Sequence, residues 1–244
     1  MHSLRRFGFR RSSTTKSPIF KIQYISDLHL EYKKELPKIT RKCGDYLALL
    51  GDIGNPFHQN YREFISIAAD SYEKVFLVSG NHEYWQVDQS MDAVDHQIDR
   101  IASSHKNVHF MNKKKLSIAG FDIVGATLWS NVITSNKIHQ QHVRWLSDAI
   151  KSCQQNTIVL THHLPSYAMI TPEYQTAYYA GTHSWYASHL DHLFAHPVKL
   201  WLCGHSHCSF ATKINGISCC INAYGYKARQ GEDHDYYFQQ FACL

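Results

Sequence analysis

Five short apolar runs in this chain each end in residues that bind metals, and no other feature constrains the fold as much. Tyr24-Ile25 leads into Ser26-Asp27-Leu28-His29, and Tyr46-Leu47-Ala48-Leu49-Leu50 into Gly51-Asp52. Val75-Phe76-Leu77-Val78 leads into Gly80-Asn81-His82-Glu83, Ile158-Val159-Leu160 into Thr161-His162-His163, and Leu200-Trp201-Leu202-Cys203 into Gly204-His205-Ser206-His207. Unbroken apolar runs of this length read as strands of a parallel sheet buried on both faces. In such sheets, binding sites form beyond the carboxyl ends of the strands. One Asp-x-His is commonly a surface turn, and one His-x-His an exposed pair. Five in succession, each after a strand-like run, converge on one shared site. Glycines before Asp52, Asn81 and His205 fit exits from strands that need positive φ.

The rest of the chain alternates strand-like and helix-period segments, which is the pattern of a layered α/β domain. Strands are expected over 20–25, 45–50, 74–78, 108–111, 116–119, 121–127, 157–161, 198–203, 209–214 and 217–222. Ala119-Gly120 and Asn215-Gly216 read as hairpin turns. The clearest helix is 86–103, where Met91, Val94, Ile98 and Ile101 recur at steps of three and four. Further helices are expected near 60–72, 139–152 and 184–195. With 244 residues and 44% hydrophobic composition, one core can be filled, and a single domain is expected over 19–244. No stretch approaches the roughly 18 apolar residues that would suggest a membrane span.

Charge and cysteine add limits. The formal net charge is +5, and residues 1–17 supply all of it through Arg5, Arg6, Arg10, Arg11 and Lys16. Residues 1–18 therefore read as a basic, flexible arm, with a transit peptide or a nucleic-acid patch as alternatives. The body beyond it is formally neutral, which is not the balance of a basic nucleic-acid binder. Seven cysteines without CxxC spacing read as reduced thiols of an intracellular protein, cytoplasmic or alternatively mitochondrial. Cys203 and Cys208 bracket Gly204-His205-Ser206-His207, but no second pair has the matching spacing of a zinc knuckle.

The succession DxH, GDxx, GNH(E/D), H and GHxH resembles the calcineurin-like metallophosphoesterase superfamily from Ile22 to about Ile221. That resemblance implies a four-layer α/β/β/α sandwich carrying two metal ions. One ion would take Asp27, His29, Asp52 and His207, and the other Asp52, Asn81, His162 and His205, with Asp52 bridging. His163 is the alternative to His162. His82 falls where the family places a general acid for the leaving oxygen, a task that suits imidazole because its pKa lies near working pH.

Imidazole, carboxylate and amide donors without thiolate favour divalent Mn first, with Fe, Zn or Ni as alternatives. Two such ions outweigh the charges of Asp27 and Asp52, so the centre draws a phosphate anion without nearby Lys or Arg. They can also form hydroxide near neutral pH and clamp the oxygens of an in-line displacement. A dinuclear phosphoesterase acting on a phosphodiester or nucleotide-like small substrate is the leading expectation. A nuclease using the basic arm and a non-catalytic metal-binding scaffold are the alternatives.

The chain departs from the protein-phosphatase branch. Gly51-Asp52-Ile53-Gly54-Asn55-Pro56 and Val78-Ser79-Gly80-Asn81 lack that branch's arginines, which disfavours monoester dianions. Asn55 replaces the acid that would orient His82. The segment Leu164 to Trp185 contains Tyr167, Tyr174, Tyr178, Tyr179 and Trp185, which can stack a base or a sugar or simply pack on the core. His183 and Tyr186 are candidates for the same cleft, and His189, His192 and His196 read as surface or packing residues.

Overall fold

The computed structural model describes residues 20–38, 42–85, 87–225 and 240–244; the arm expected over 1–18 lies outside the described residues. The apolar runs form two sheets. The first has the order β11 (Phe241–Cys243), β1 (Lys21–Ile25), β2 (Tyr46–Leu50), β3 (Lys74–Val78) and β4 (Val108–Phe110). The second runs β5 (Lys114–Ile118), β6 (Phe121–Ala126), β7 (Asn156–Thr161), β8 (Val198–Cys203), β10 (Ile217–Asn222) and β9 (Ser209–Ile214). Strands β1 to β4 pair in parallel, as do β6, β7, β8 and β10, while β11, β5 and β9 add antiparallel edges.

Side-chain alternation turns these strands into layers, since successive residues face opposite ways. Along β2, Ala48 and Leu50 join Ile22, Phe76, Ile158, Leu160 and Leu200 in a core containing residues of both sheets. Leu47 and Leu49 point the other way, onto α1 (Gln59–Ser71) and α2 (Met91–Ser103) through Phe64, Ile65, Val94 and Ile98. Across the second sheet, Val124, Val159 and Trp201 pack with Leu146 and Ile150 of α3 (Asn136–Lys151) and with Leu164, Met169 and Phe194. The result is the expected four-layer α/β/β/α sandwich. Both hairpin expectations hold: Ala119 and Gly120 (φ 49° and 82°) and Asn215 and Gly216 (φ 50° and 81°) have the paired positive φ of type I′ turns.

Two helix expectations need correction. The segment 86–103 is helical only from Met91, because Ser90 takes the cap position and its side chain accepts the Ala93 N–H at 3.2 Å. The segment 184–195 is not a helix. It holds two short turns, α4 (His183–Tyr186) and a 3-10 turn at Asp191–Leu193, and between them Ala187 bridges to Leu164, Ser188 donates to the Leu164 carbonyl and Leu190 to that of Pro165. These backbone bonds tie the segment to the chain leaving β7, and a helix would have to give them up.

Candidate metal centre

Parallel register sets the ends of the strands level. Ile25 lies opposite Leu49, Leu50 opposite Val78, and Leu160 opposite Leu202, so all five polar exits emerge along one rim. The loops then lock together: Asp27 donates its N–H to Gly51, His29 to Asp52, and Gly204 to His162. The two sheets meet at this rim, where Ser26 donates to the Asn222 carbonyl and the Asn222 amide donates to Tyr24.

Tight turns at the rim are borne by the polar residues themselves. Asp27, His29, Asp52, His205 and His207 all have φ between 47° and 69°. Each such non-glycine residue costs on the order of 1–3 kcal/mol, and such strain characteristically gathers at functional sites. The glycines play a different part from the one expected. Gly51 does have positive φ, but a side chain at Gly80 would collide with Asp52, and one at Gly204 with Ser26 and Asp27. Those two glycines allow close approach between loops.

The donor atoms gather in two adjoining groups. On one side, His29 Nε2 and His207 Nε2 are 3.1 Å apart, and His207 Nε2 is 3.3 Å from Asp27 Oδ1. On the other, His162 Nε2 is 3.1 Å from Asn81 Oδ1 and 3.2 Å from His205 Nδ1. Asp52 Oδ2 stands between them, 3.9 Å from His29 Nε2 and 3.4 Å from His162 Nε2. All seven expected ligands and His82 are thus brought to one place. The arrangement suits cations: imidazole nitrogens face one another across hydrogen-bond distances, and the buried Asp27 Oδ1 makes no hydrogen bond. Among the described residues, four sets of three side chains have donors within 4.8 Å of one another inside each set, and none of these sets includes a cysteine.

The outer nitrogens are already committed. His162 Nδ1 lies 2.8 Å from the Leu50 carbonyl, His205 Nε2 3.2 Å from that of Trp185, and His29 Nδ1 3.2 Å from Glu31. An N–H donated outward leaves the inner nitrogen with a lone pair, the usual arrangement of metal-binding histidines. His163, the alternative to His162, directs Nδ1 toward Thr127 at 3.4 Å and lies against the His205 ring, with centroids 4.1 Å apart.

Comparison with known proteins bears on this arrangement. The family model described as calcineurin-like phosphoesterase matches residues 20–209. The chain belongs to that family. It is 28% identical over 264 residues to an uncharacterized protein of Acanthamoeba polyphaga mimivirus, covering 88% of this chain and 94% of that protein. In fold it is similar to the phosphopantetheinyl hydrolase of Mycobacterium tuberculosis, with a TM-score of 0.65 at 15% identity over 86% of this chain and 91% of that one.

In this calcineurin-like phosphoesterase the charges balance across the centre. Burial opposes ionisation of Asp52, but His162 outweighs it and holds the carboxyl well below the usual range. Burial likewise opposes protonation of His162, yet Asp52 pushes it up to about 9. A cation bound here would have to displace that proton. His205 goes the other way, down to about 4, through burial and the His162 charge.

Three residues that sequence reasoning missed hold the rim in shape. Glu83 accepts N–H bonds from Gly80, Asp52 and Ile53 at 2.8–3.0 Å, tying the second and third loops together. Ser26 donates to Asp27 Oδ2, which also accepts the His205 N–H at 2.9 Å. Glu31 matters most. Its Oε1 lies 3.2 Å from His29 Nδ1 and 3.4 Å from His82 Nδ1, so it supplies the carboxylate that Asn55 lacks. Asn55 instead accepts the Phe57 N–H in a turn. Burial opposes the charge of Glu31, but the two histidines hold it at about 2. The signal available in the sequence was its place two residues beyond His29.

Beside the donors opens a cleft of about 420 Å³ lined by Asn81, His82, Trp85, Tyr174, Tyr179 and Tyr186, among others. The aromatic segment is thereby divided. Tyr174, Tyr179, His183 and Tyr186 reach the cleft, whereas Tyr178 and Trp185 project outward and Tyr167 stacks on His189. His189, His192 and His196 are exposed, away from the donors.

Proposed function

We propose that this chain hydrolyses a phosphodiester or nucleotide-like small phosphoester, using two divalent cations that share Asp52. Asp27, His29, Asp52 and His207 would hold one, and Asp52, Asn81, His162 and His205 the other. The observation that carries this reading is the convergence of those seven side chains and His82 on one place, with Asp52, Asn81, His82, His205 and His207 opening into one cleft and Asp27, His29 and His162 buried behind them. Mn fits the nitrogen and oxygen donors, as do Fe, Zn and Ni. Bound there, such cations neutralise the phosphate and activate water for attack at phosphorus.

The chain's own groups do the rest. Water that has given up one proton to solvent adds at phosphorus, the P–O bond to the leaving group breaks, His82 gives its proton to the departing oxygen, and His82 regains a proton from solvent. Glu31 beside His82 Nδ1 leaves Nε2 to act as donor. Burial lowers the proton affinity of His82, but the Glu31 carboxylate bonded to its Nδ1 opposes this and helps to raise its pKa, which favours the donor form.

A diester monoanion is favoured over a monoester dianion because the smaller charge needs fewer cationic side chains. Among the described residues, no Lys or Arg lines the cleft. The test is protein reconstituted with Mn²⁺, offered a methyl aryl phosphodiester and the matching aryl monoester, with Asp52→Asn as the blank. Faster turnover of the diester, falling to background in the variant, is expected. Faster turnover of the monoester overturns the diester preference, and equal background in both proteins at full metal occupancy removes the enzymatic reading.

A further inference from the structure

Directly after His82, the chain makes a tight turn that treats two aromatic residues in opposite ways. Tyr84 donates its N–H to Asn81 and Trp85 donates to His82, at 3.1 and 3.2 Å. Tyr84 turns inward, its hydroxyl bonded to Ser79 at 2.9 Å and Asp95 at 2.5 Å. Trp85 turns outward and is 54% exposed. Its ring centroid lies 4.7 Å from the His82 imidazole at an interplanar angle of 44°, and it forms part of the cleft wall. Core packing does not account for a tryptophan so placed, because over half of it contacts solvent.

The two sides of the cleft are not equivalent. Tyr186 stands by His205, with ring centroids 5.4 Å apart, whereas Trp85 stands by His82. A proton donor must come within about 3 Å of the oxygen it protonates. Whatever is attached to that oxygen therefore emerges beside Trp85. An indole face is flat, apolar and rich in π electrons, and its natural partner is another flat unsaturated ring.

We infer that Trp85 forms the leaving-group subsite and selects phosphoesters whose leaving group carries a flat unsaturated ring, attached directly as an aryl alcohol or through a sugar as a nucleoside. This rests on the phosphoester reading above and adds which side of the substrate is recognised and by what chemistry.

The test uses stable analogues in which a methylene replaces the leaving oxygen, so that binding is read without turnover. Monomethyl benzylphosphonate and monomethyl cyclohexylmethylphosphonate match in size and charge, one with a flat ring and the other puckered. Calorimetric titration of the Mn²⁺-reconstituted protein is expected to give a Kd about tenfold lower for the benzyl compound. Trp85→Ala should abolish that preference, and Trp85→Phe should keep most of it, which a merely structural role for Trp85 would not produce. A second pair, a nucleoside phosphonate and its abasic counterpart, separates the sources: preference in both pairs assigns a nucleoside, and in the first alone an aryl alcohol. Equal binding of the benzyl and cyclohexylmethyl compounds by the wild type, or a preference that survives Trp85→Ala, overturns the inference and leaves the phosphoester reading standing. Binding of none of the analogues removes both.

Discussion

The donor-bearing wall of the cleft is built from strand ends, while the facing wall, Leu164 to Tyr186, is built from short turns that run across the surface. In the first wall, Asp27, His29, Asp52 and His162 are buried, and each loop is bonded to another through backbone or carboxylate groups. In the second, the N–H groups of Tyr174, Tyr179 and Thr182 close turns with carbonyls three residues back, fewer bonds reach other segments, and Tyr174 and Tyr186 remain partly exposed. The first arrangement fixes every donor from several directions at once, as chemistry at a bound cation requires. The second presents ring faces whose positions depend on local turns, which suits recognition and tolerates change.

This contrast can be broken by substitution. His82→Ala, on the strand-end wall, is expected to slow turnover by roughly 10²–10⁴-fold at unchanged metal content. Turnover and metal stoichiometry measured together check it, and full activity would assign the proton donor elsewhere.

Glu31→Gln, one step behind the donors, should cost about 10–100-fold in activity or metal affinity. It carries a further signature in pH. His82 must hold its proton to donate it, so activity falls as pH rises through its pKa. Glu31 helps raise that pKa, and losing the carboxylate should move the basic limb of the profile to lower pH. A limb that stays in place would mean that Glu31 acts on His29 alone.

Tyr174→Ala, on the facing wall, should have the smallest effect, a several-fold rise in KM with kcat retained, in keeping with the loss of one stacking surface. A large fall in kcat would show that the two walls are not separable in this way.

Much of the first wall was legible in the chain itself. Apolar runs long enough for strands, each closed by Asp, Asn or His, are local patterns, and the parallel sheet leaves few ways to arrange them. That pattern pointed to one shared site, and the resemblance to the metallophosphoesterase family then singled out Asp27, His29, Asp52, Asn81, His82, His162, His205 and His207. Glu31 could not be assigned a role, because its bond to His82 joins residues 51 apart whose loops come level only when β1 and β3 flank β2. The facing wall was least legible. Its tyrosines have no period, and backbone bonds from Ser188 and Leu190 to the chain after β7 replace the helix expected over 184–195.

The strand segments and the kinds of donor at their ends were determined by sequence, because burial of apolar runs and the placing of polar residues at their ends are properties of short segments. Only the tertiary structure decided which nitrogen of each histidine faces the centre, which carboxylate serves His82, and which aromatic rings reach the cleft. Those outcomes depend on distances between loops far apart in the chain, and such distances are set when the two sheets pack face to face.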